Sequence, residues 1–245
     1  MCSSSGATCR AGTVSVPRQS ETFWEDSAAR SGPSLFTHAL HAPSTLDLSD
    51  HFTVLAGAGE SGRLFNMPSR NVTIRDNILG TGMGMSVGSS VSGGVEDVLY
   101  TRNTMAEGRY VNASTYGFWG QGAHIKTRVS YGGYIRNIAY IDNALATVST
   151  QGILVETDYQ SGGNCTAETC TEIRDIVFRN FSVALVGGVD GGGPGMIGCF
   201  TERPCVNLTF ENVHVNTTGR WGCHNLSSGT FVNVTPPGLQ EACGL

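Results

Sequence analysis

The sequence predicts an all-β chain wound as a parallel β-helix, and three observations carry that prediction. Glycine is abundant, with 33 among 245 residues, while charged residues make up only 14%, against roughly 25% in an average domain. A short unit recurs, in which Asn or Asp precedes an alternating apolar strand that ends in Asn. It is spelled out at residues 71–77, 97–103 and 137–143, and more briefly at 175–180 and 207–212. Second strands fall between these units, at residues 85–87, 123–126, 153–156 and 196–199. Two or three short strands per irregular turn, joined by glycine corners, is the pattern of a β-solenoid.

Taken in order, residues 1–45 differ in texture from the rest and show no repeat. Residues 20–30 carry the pattern of one short helix, with Ser20 as its cap and Phe23, Trp24 and Ala28 on one face. Pro33 and Pro43 bracket a linker. Residues 46–245 form the solenoid domain, with a cysteine-rich C-terminal end. The unit starts at 71, 97, 137, 175 and 207, a spacing too uneven for helical repeats of fixed length. Asn at equivalent corners is expected to stack from coil to coil and to satisfy the turn above it. Glu96 and Asp97, as neighbours on a strand, face opposite ways and read as corner and surface groups. The competing architecture is an antiparallel sandwich, which has turn signals every 8–12 residues but no need of a recurring unit.

The net charge of −5 gives no basic field for a nucleic acid. No apolar run reaches the roughly 18–20 residues of a membrane span, and the N-terminus lacks the apolar core of a signal peptide. Six of the eight cysteines fall after residue 164 in short-range combinations: Cys165 with Cys170, Cys199 with Cys205, and Cys223 with Cys243. They read as a disulfide framework from an oxidising compartment, with buried free thiols as the alternative and connectivity open. Eight Asn-x-Ser/Thr sequons, at Asn71, Asn112, Asn164, Asn180, Asn207, Asn216, Asn225 and Asn233, fit a secreted glycoprotein. They also arise wherever Asn ends a turn and Thr begins a strand.

Residues 46–215 resemble the polygalacturonase family, the pectin-degrading members of glycoside hydrolase family 28. The resemblance rests on Asp-His-Phe-Thr-Val-Leu-Ala-Gly from 50, Met-Pro-Ser-Arg-Asn-Val-Thr-Ile-Arg from 67 and Gly-Met-Gly-Met-Ser-Val-Gly-Ser from 82. It continues in Ser-Gly-Gly-Val-Glu-Asp-Val from 92, His-Ile-Lys-Thr from 124 and Gly-Gly-Tyr-Ile-Arg-Asn-Ile from 132. It implies a right-handed parallel β-helix of the pectin lyase-like type and inverting hydrolysis of α-1,4-galacturonan by a secreted monomer without cofactor or metal. Such hydrolysis needs one carboxylic acid to protonate the leaving oxygen and an opposed carboxylate, roughly 6.5–9.5 Å away, to activate water.

Carried over residue by residue, the resemblance makes Asp50 the water-activating base and puts Ser49 in place of the general acid and Met83 in place of a histidine. His124 and Lys126 stand at the cationic substrate-binding positions, and Tyr159 at a substrate-binding tyrosine. The family's Asn-Thr-Asp strand has no counterpart, so the N-terminal coils are missing or replaced and this copy is truncated or weakly active. The alternative function is a catalytically silent β-helix that binds acidic polysaccharide. Outside the family, Asp50 is a turn aspartate, Lys126 a solvated lysine, His124 an exposed strand histidine, and Met83 a space-filler. Tyr110, Tyr116, Phe118 and Trp119 suggest either a sugar-stacking wall or loop packing.

Overall fold

A single coil of this repeat exposes an apolar face that only its neighbours can cover, so the coils stack. The computed structural model describes residues 38–40, 52–56, 62–64, 66–79, 84–105, 120–148, 150–159, 163–186 and 192–245. The strands in chain order are β1 (His38–Leu40), β2 (Phe52–Val54), β3 (Ser69–Arg75), β4 (Ile78–Leu79), β5 (Met85–Val87), β6 (Val95–Thr101), β7 (Thr104–Met105) and β8 (Gln121–Lys126). They continue with β9 (Tyr134–Val148), β10 (Gln151–Glu156), β11 (Glu172–Val186), β12 (Gly195–Gly198), β13 (Val206–Val215), β14 (Gly222–His224) and β15 (Gly229–Thr235). A short helix, Leu239–Cys243, follows.

The strands form two parallel sheets. The larger runs β1-β3-β6-β9-β11-β13-β15, with β4 and β7 alongside, and the smaller runs β14-β12-β10-β8-β5-β2. Each coil gives one strand to each sheet, so the architecture is a parallel β-helix and the antiparallel alternative is excluded. β1 falls within residues 1–45 and continues the larger sheet, His38 pairing with Val72. The helix expected at 20–30 lies outside the described residues.

Asn and Asp recur for a conformational reason. Asn71, Asp97, Asn137, Asp175 and Asn207 occupy equivalent positions at φ between 55° and 57°. Asp76, Arg102, Asp142, Asn180, Asn212 and Asn233 make a second column at φ between 49° and 59°. Among non-glycine residues, Asn and Asp are the ones that adopt the left-handed region most readily. Their amides also link coils: Asn207 Nδ2 donates to Asp175 Oδ1 at 2.8 Å, and Asn180 Nδ2 to Asp142 Oδ1 at 2.8 Å. Five sequon asparagines, Asn71, Asn180, Asn207, Asn225 and Asn233, hold such positive φ values, so the backbone alone accounts for Asn there.

One ladder runs inside. Asn77 Nδ2 donates to Asn103 Oδ1 at 2.9 Å, and Asn103 Nδ2 donates to Asn143 Oδ1 at 3.1 Å. Each side-chain oxygen also accepts the backbone N–H of the preceding coil's asparagine. In later coils Phe181, Val213 and Val234 take the same register. Beside this ladder Tyr100, Tyr140, Phe178, Phe210 and Phe231 stack in a column, with ring centroids 4.9 to 5.6 Å apart. That spacing repeats the distance between strands, and each stacked pair adds roughly 0.5–1.5 kcal/mol beyond burial. The tyrosine hydroxyls cross the interior to donate to the carbonyls of Ser86 and Met85 on the smaller sheet.

Glu96 corrects the reading of it as a corner or surface group. It is buried and accepts from Arg136 at 2.5 and 2.7 Å, with Arg70 at 3.3 Å. Asp97 points the opposite way and is exposed. The cysteine combinations are disulfides: Cys165–Cys170, Cys199–Cys205 and Cys223–Cys243. The last ties the C-terminal helix to β14.

Candidate functional site

On the smaller sheet, side chains alternate between the interior and the outer face. Met85, Val87, Ala123, Ile125, Ile153 and Val155 point inward and join the core. The alternate positions Ser86, His124 and Leu154 stand in one row, paired across β5, β8 and β10. Two residues on, Lys126 pairs with Glu156 and Glu156 with Gly198. Side chains in such a row lie about 4.8 Å apart, so β8 and β10 set cationic and acidic groups side by side.

Tyr159 joins them through the turn that follows β10. Thr127, next after Lys126, donates its N–H to the Glu156 carbonyl and its hydroxyl to the Thr157 carbonyl. Its own carbonyl accepts the Tyr159 N–H at 2.9 Å. That clasp carries the tyrosine ring over Lys126, with Nζ 4.5 Å from the ring centroid. The same ring meets His124 edge-on, centroids 5.8 Å apart and planes at 75°. Gly88, beside Lys126 on the previous coil, has φ of 96°, and a Cβ there would come within 1.7 Å of the Lys126 carbonyl oxygen. Only glycine permits that approach.

His124 is fully buried, which corrects the reading of it as an exposed strand histidine. Its Nε2 lies 3.4 Å from Glu156 Oε2, and its Nδ1 is buried without a hydrogen-bond partner among the described residues. Burial pushes the imidazole below its ordinary value; the hydrogen bond and charge of Glu156 oppose that, while the Lys126 ammonium adds to it. Burial thus favours the neutral ring, which lies between a cation and a carboxylate.

Of the residues singled out from the sequence, His124, Lys126 and Tyr159 are brought into contact. Ser49, Asp50 and Met83 lie outside the described residues, as do Tyr110, Tyr116, Phe118 and Trp119. Sequence reasoning missed Glu156 and Thr127. The signal for Glu156 was the alignment of two strand ends, Ala-His-Ile-Lys and Ile-Leu-Val-Glu, which sets Glu156 beside Lys126. Among the described residues, the group of three side chains with metal-ligand chemistry is Cys165, Cys170 and Glu202, and its two sulfurs are consumed by a disulfide.

Lys126 is buried, which corrects the reading of it as a solvated lysine, and the arrangement sets an ammonium, an aromatic ring, an imidazole and a carboxylate together. Comparison with known proteins gives it a family. The model for glycosyl hydrolases family 28 matches residues 59–233. The chain belongs to that family. Among its relatives, a probable endopolygalacturonase B of Aspergillus kawachii is 30% identical over 163 residues, covering 65% of this chain and 41% of the relative. Endopolygalacturonase B of Aspergillus niger is 28% identical over 162 residues, with the same coverage. This family 28 chain thus spans about two fifths of the length of the curated relatives it matches. A solved structure, a hyperthermoactive exopolygalacturonase from Thermotoga maritima, superposes with a TM-score of 0.49 at 21% identity. It covers 74% of this chain, which spans 38% of that one.

Proposed function

We propose that this family 28 chain binds acidic α-1,4-galacturonan, the backbone of pectin, along the outer face of its smaller sheet, and hydrolyses it weakly with inversion. The observation that carries the reading is the convergence of His124 and Lys126, on the outer face of β8, with Tyr159 from the turn after β10. A lysine ammonium makes charge-assisted hydrogen bonds to a sugar carboxylate, and a tyrosine ring offers its face to the C–H side of a sugar. Three disulfides among the described residues, together with the sequons, support a secreted protein.

Weak hydrolysis follows from residue chemistry. Asp50 supplies a carboxylate to activate water. Ser49 takes the general acid's place with a hydroxyl that holds its proton at ordinary pH, and the thioether of Met83 relays none. Inverting hydrolysis needs both carboxylic acids, so binding outlasts catalysis. Reducing-end release from polygalacturonate tests the rate, and retardation in gels cast with polygalacturonate tests binding. Retardation with barely measurable release is expected. Release at an ordinary enzymatic rate overturns the weak-activity reading, and unretarded migration overturns the substrate.

The replacements at Ser49 and Met83 also favour a second reading, a silent polysaccharide-binding β-helix. The double variant Ser49→Asp/Met83→His separates the two. A gain in release shows that the remaining machinery works, and no gain favours the silent binder.

A further inference from the structure

The proposed substrate site contains a polar group that the binding reading leaves unused. His124 is fully enclosed on the outer face of the smaller sheet, yet its Nδ1 has no hydrogen-bond partner among the described residues. Its Nε2 faces Glu156 on β10, Lys126 follows two residues later on its own strand, Ser86 stands beside it on β5, and the Tyr159 ring meets it edge-on. The charged groups facing it among the described residues are therefore one carboxylate and one ammonium.

We propose that a galacturonate carboxylate docks beside Lys126 and Tyr159 together with a proton, which His124 takes up against Glu156. This rests on the galacturonan-binding reading and adds the coupling to it. Without ligand, burial and, after it, the Lys126 ammonium disfavour a second positive charge more than the hydrogen bond and charge of Glu156 favour it. A sugar carboxylate at Lys126 screens that ammonium and adds negative charge near the ring. The imidazolium then donates Nε2–H to Glu156, and Nδ1, the ring nitrogen without a partner among the described residues, carries the added proton. The proton comes from buffer; no covalent bond is made or broken.

The coupling separates acidic from esterified sugars. A methyl-esterified residue brings no charge and draws no proton, so the site discriminates between the two increasingly as pH falls. With one linked proton, affinity for the acid form rises by at most about tenfold per pH unit. The window lies above the sugar carboxylate's own titration, near pH 3.5 as for an α-carboxyl group.

The test is calorimetric titration of the full chain with trigalacturonate at pH 6 to 7, in buffers of differing ionisation enthalpy. The dependence of apparent heat on buffer reads the number of protons taken up. Uptake of about half to one proton is expected, with none for the fully methyl-esterified trimer. His124→Gln and His124→Arg are expected to bind without uptake, the arginine variant keeping its affinity at higher pH. Should the variants fail to fold, the imidazole nitrogen resonances of the wild type give the same information, since the titration midpoint of one buried ring must rise with trigalacturonate. Binding without uptake, or uptake that persists in both variants, overturns the coupling and leaves the binding reading standing. No binding in any buffer overturns the binding reading, and the coupling falls with it.

Discussion

Asn103 is the residue on which the interior ladder turns, and Asn103→Ala tests what that ladder contributes. Its side-chain oxygen accepts the Asn77 backbone N–H at 3.2 Å and the Asn77 amide at 2.9 Å. Its amide donates to the Ile74 carbonyl at 3.0 Å and to Asn143 Oδ1 at 3.1 Å. Both Asn77 and Asn103 are buried, so water does not replace what is lost. The Asn77 amide keeps its bond to the Arg75 carbonyl, and Asn143 Oδ1 keeps the Asn103 N–H. The Asn77 N–H is then left as a buried donor without that acceptor, a cost of about 1–3 kcal/mol. Three further hydrogen bonds at about 1 kcal/mol each bring the expected loss to ~4–6 kcal/mol. That is a large share of the roughly 5–15 kcal/mol that stabilises a typical protein. Urea unfolding followed by circular dichroism reads the loss as a lower midpoint, and hydrogen exchange should show the Asn77 amide losing protection first. A loss below about 1 kcal/mol with Asn77 protection intact would falsify the ladder's role.

Two further outcomes follow from the same physics. His124 has a folded-state value below its ordinary 6.5 because burial disfavours its charge. The unfolded chain therefore binds the proton first, and the stability this group contributes, complete above about pH 6.5, is lost as pH falls through the folded value. Urea midpoints of wild type should fall over that window by more than those of His124→Gln, and parallel curves would contradict the assignment. The Cys223–Cys243 bridge closes a loop with sequence separation 20 and ties the C-terminal helix to β14. Cys223→Ser/Cys243→Ser should cost ~3 kcal/mol by the chain-entropy model, read as a lower thermal midpoint, and an unchanged midpoint would show that the helix docks without it.

The coils were legible in the sequence because their requirement is local. A corner in the left-handed region selects Asn or Asp at each turn whatever the rest of the chain does, so Asn71, Asp97, Asn137, Asp175 and Asn207 announce themselves. The aromatic column from Tyr100 to Phe231 was not legible as a column, since its members meet only once the coils are in register. Glu96 was misread for the same reason: its neighbours Arg70 and Arg136 lie 26 and 40 residues away in the chain. His124 was misjudged because alternation correctly puts it on the outer face, yet alternation does not say that the outer face is covered there. Lys126 and Tyr159 came from the family resemblance, and their contact came from Thr127, an ordinary threonine until its carbonyl is seen to hold the Tyr159 N–H.

Within the smaller sheet, positions that hold the fold and positions that face outward are separate. β5, β8 and β10 each commit alternate residues to the core: Met85 and Val87, Ala123 and Ile125, Ile153 and Val155. Replacing any of them with a polar group costs desolvation energy and disturbs packing. The intervening positions, Ser86, His124, Lys126 and Glu156, sit outside that core, and His124, Lys126 and Glu156 interact with one another there. The fold therefore constrains the inward set more directly than the outward set. On the proposed reading, Ser49 and Met83 take the places of an acid and a histidine, whereas Lys126 and Tyr159 are in contact. On that reading proton transfer is more easily lost than substrate binding, because inverting hydrolysis needs two carboxyl groups in register while binding needs only a cation and a ring.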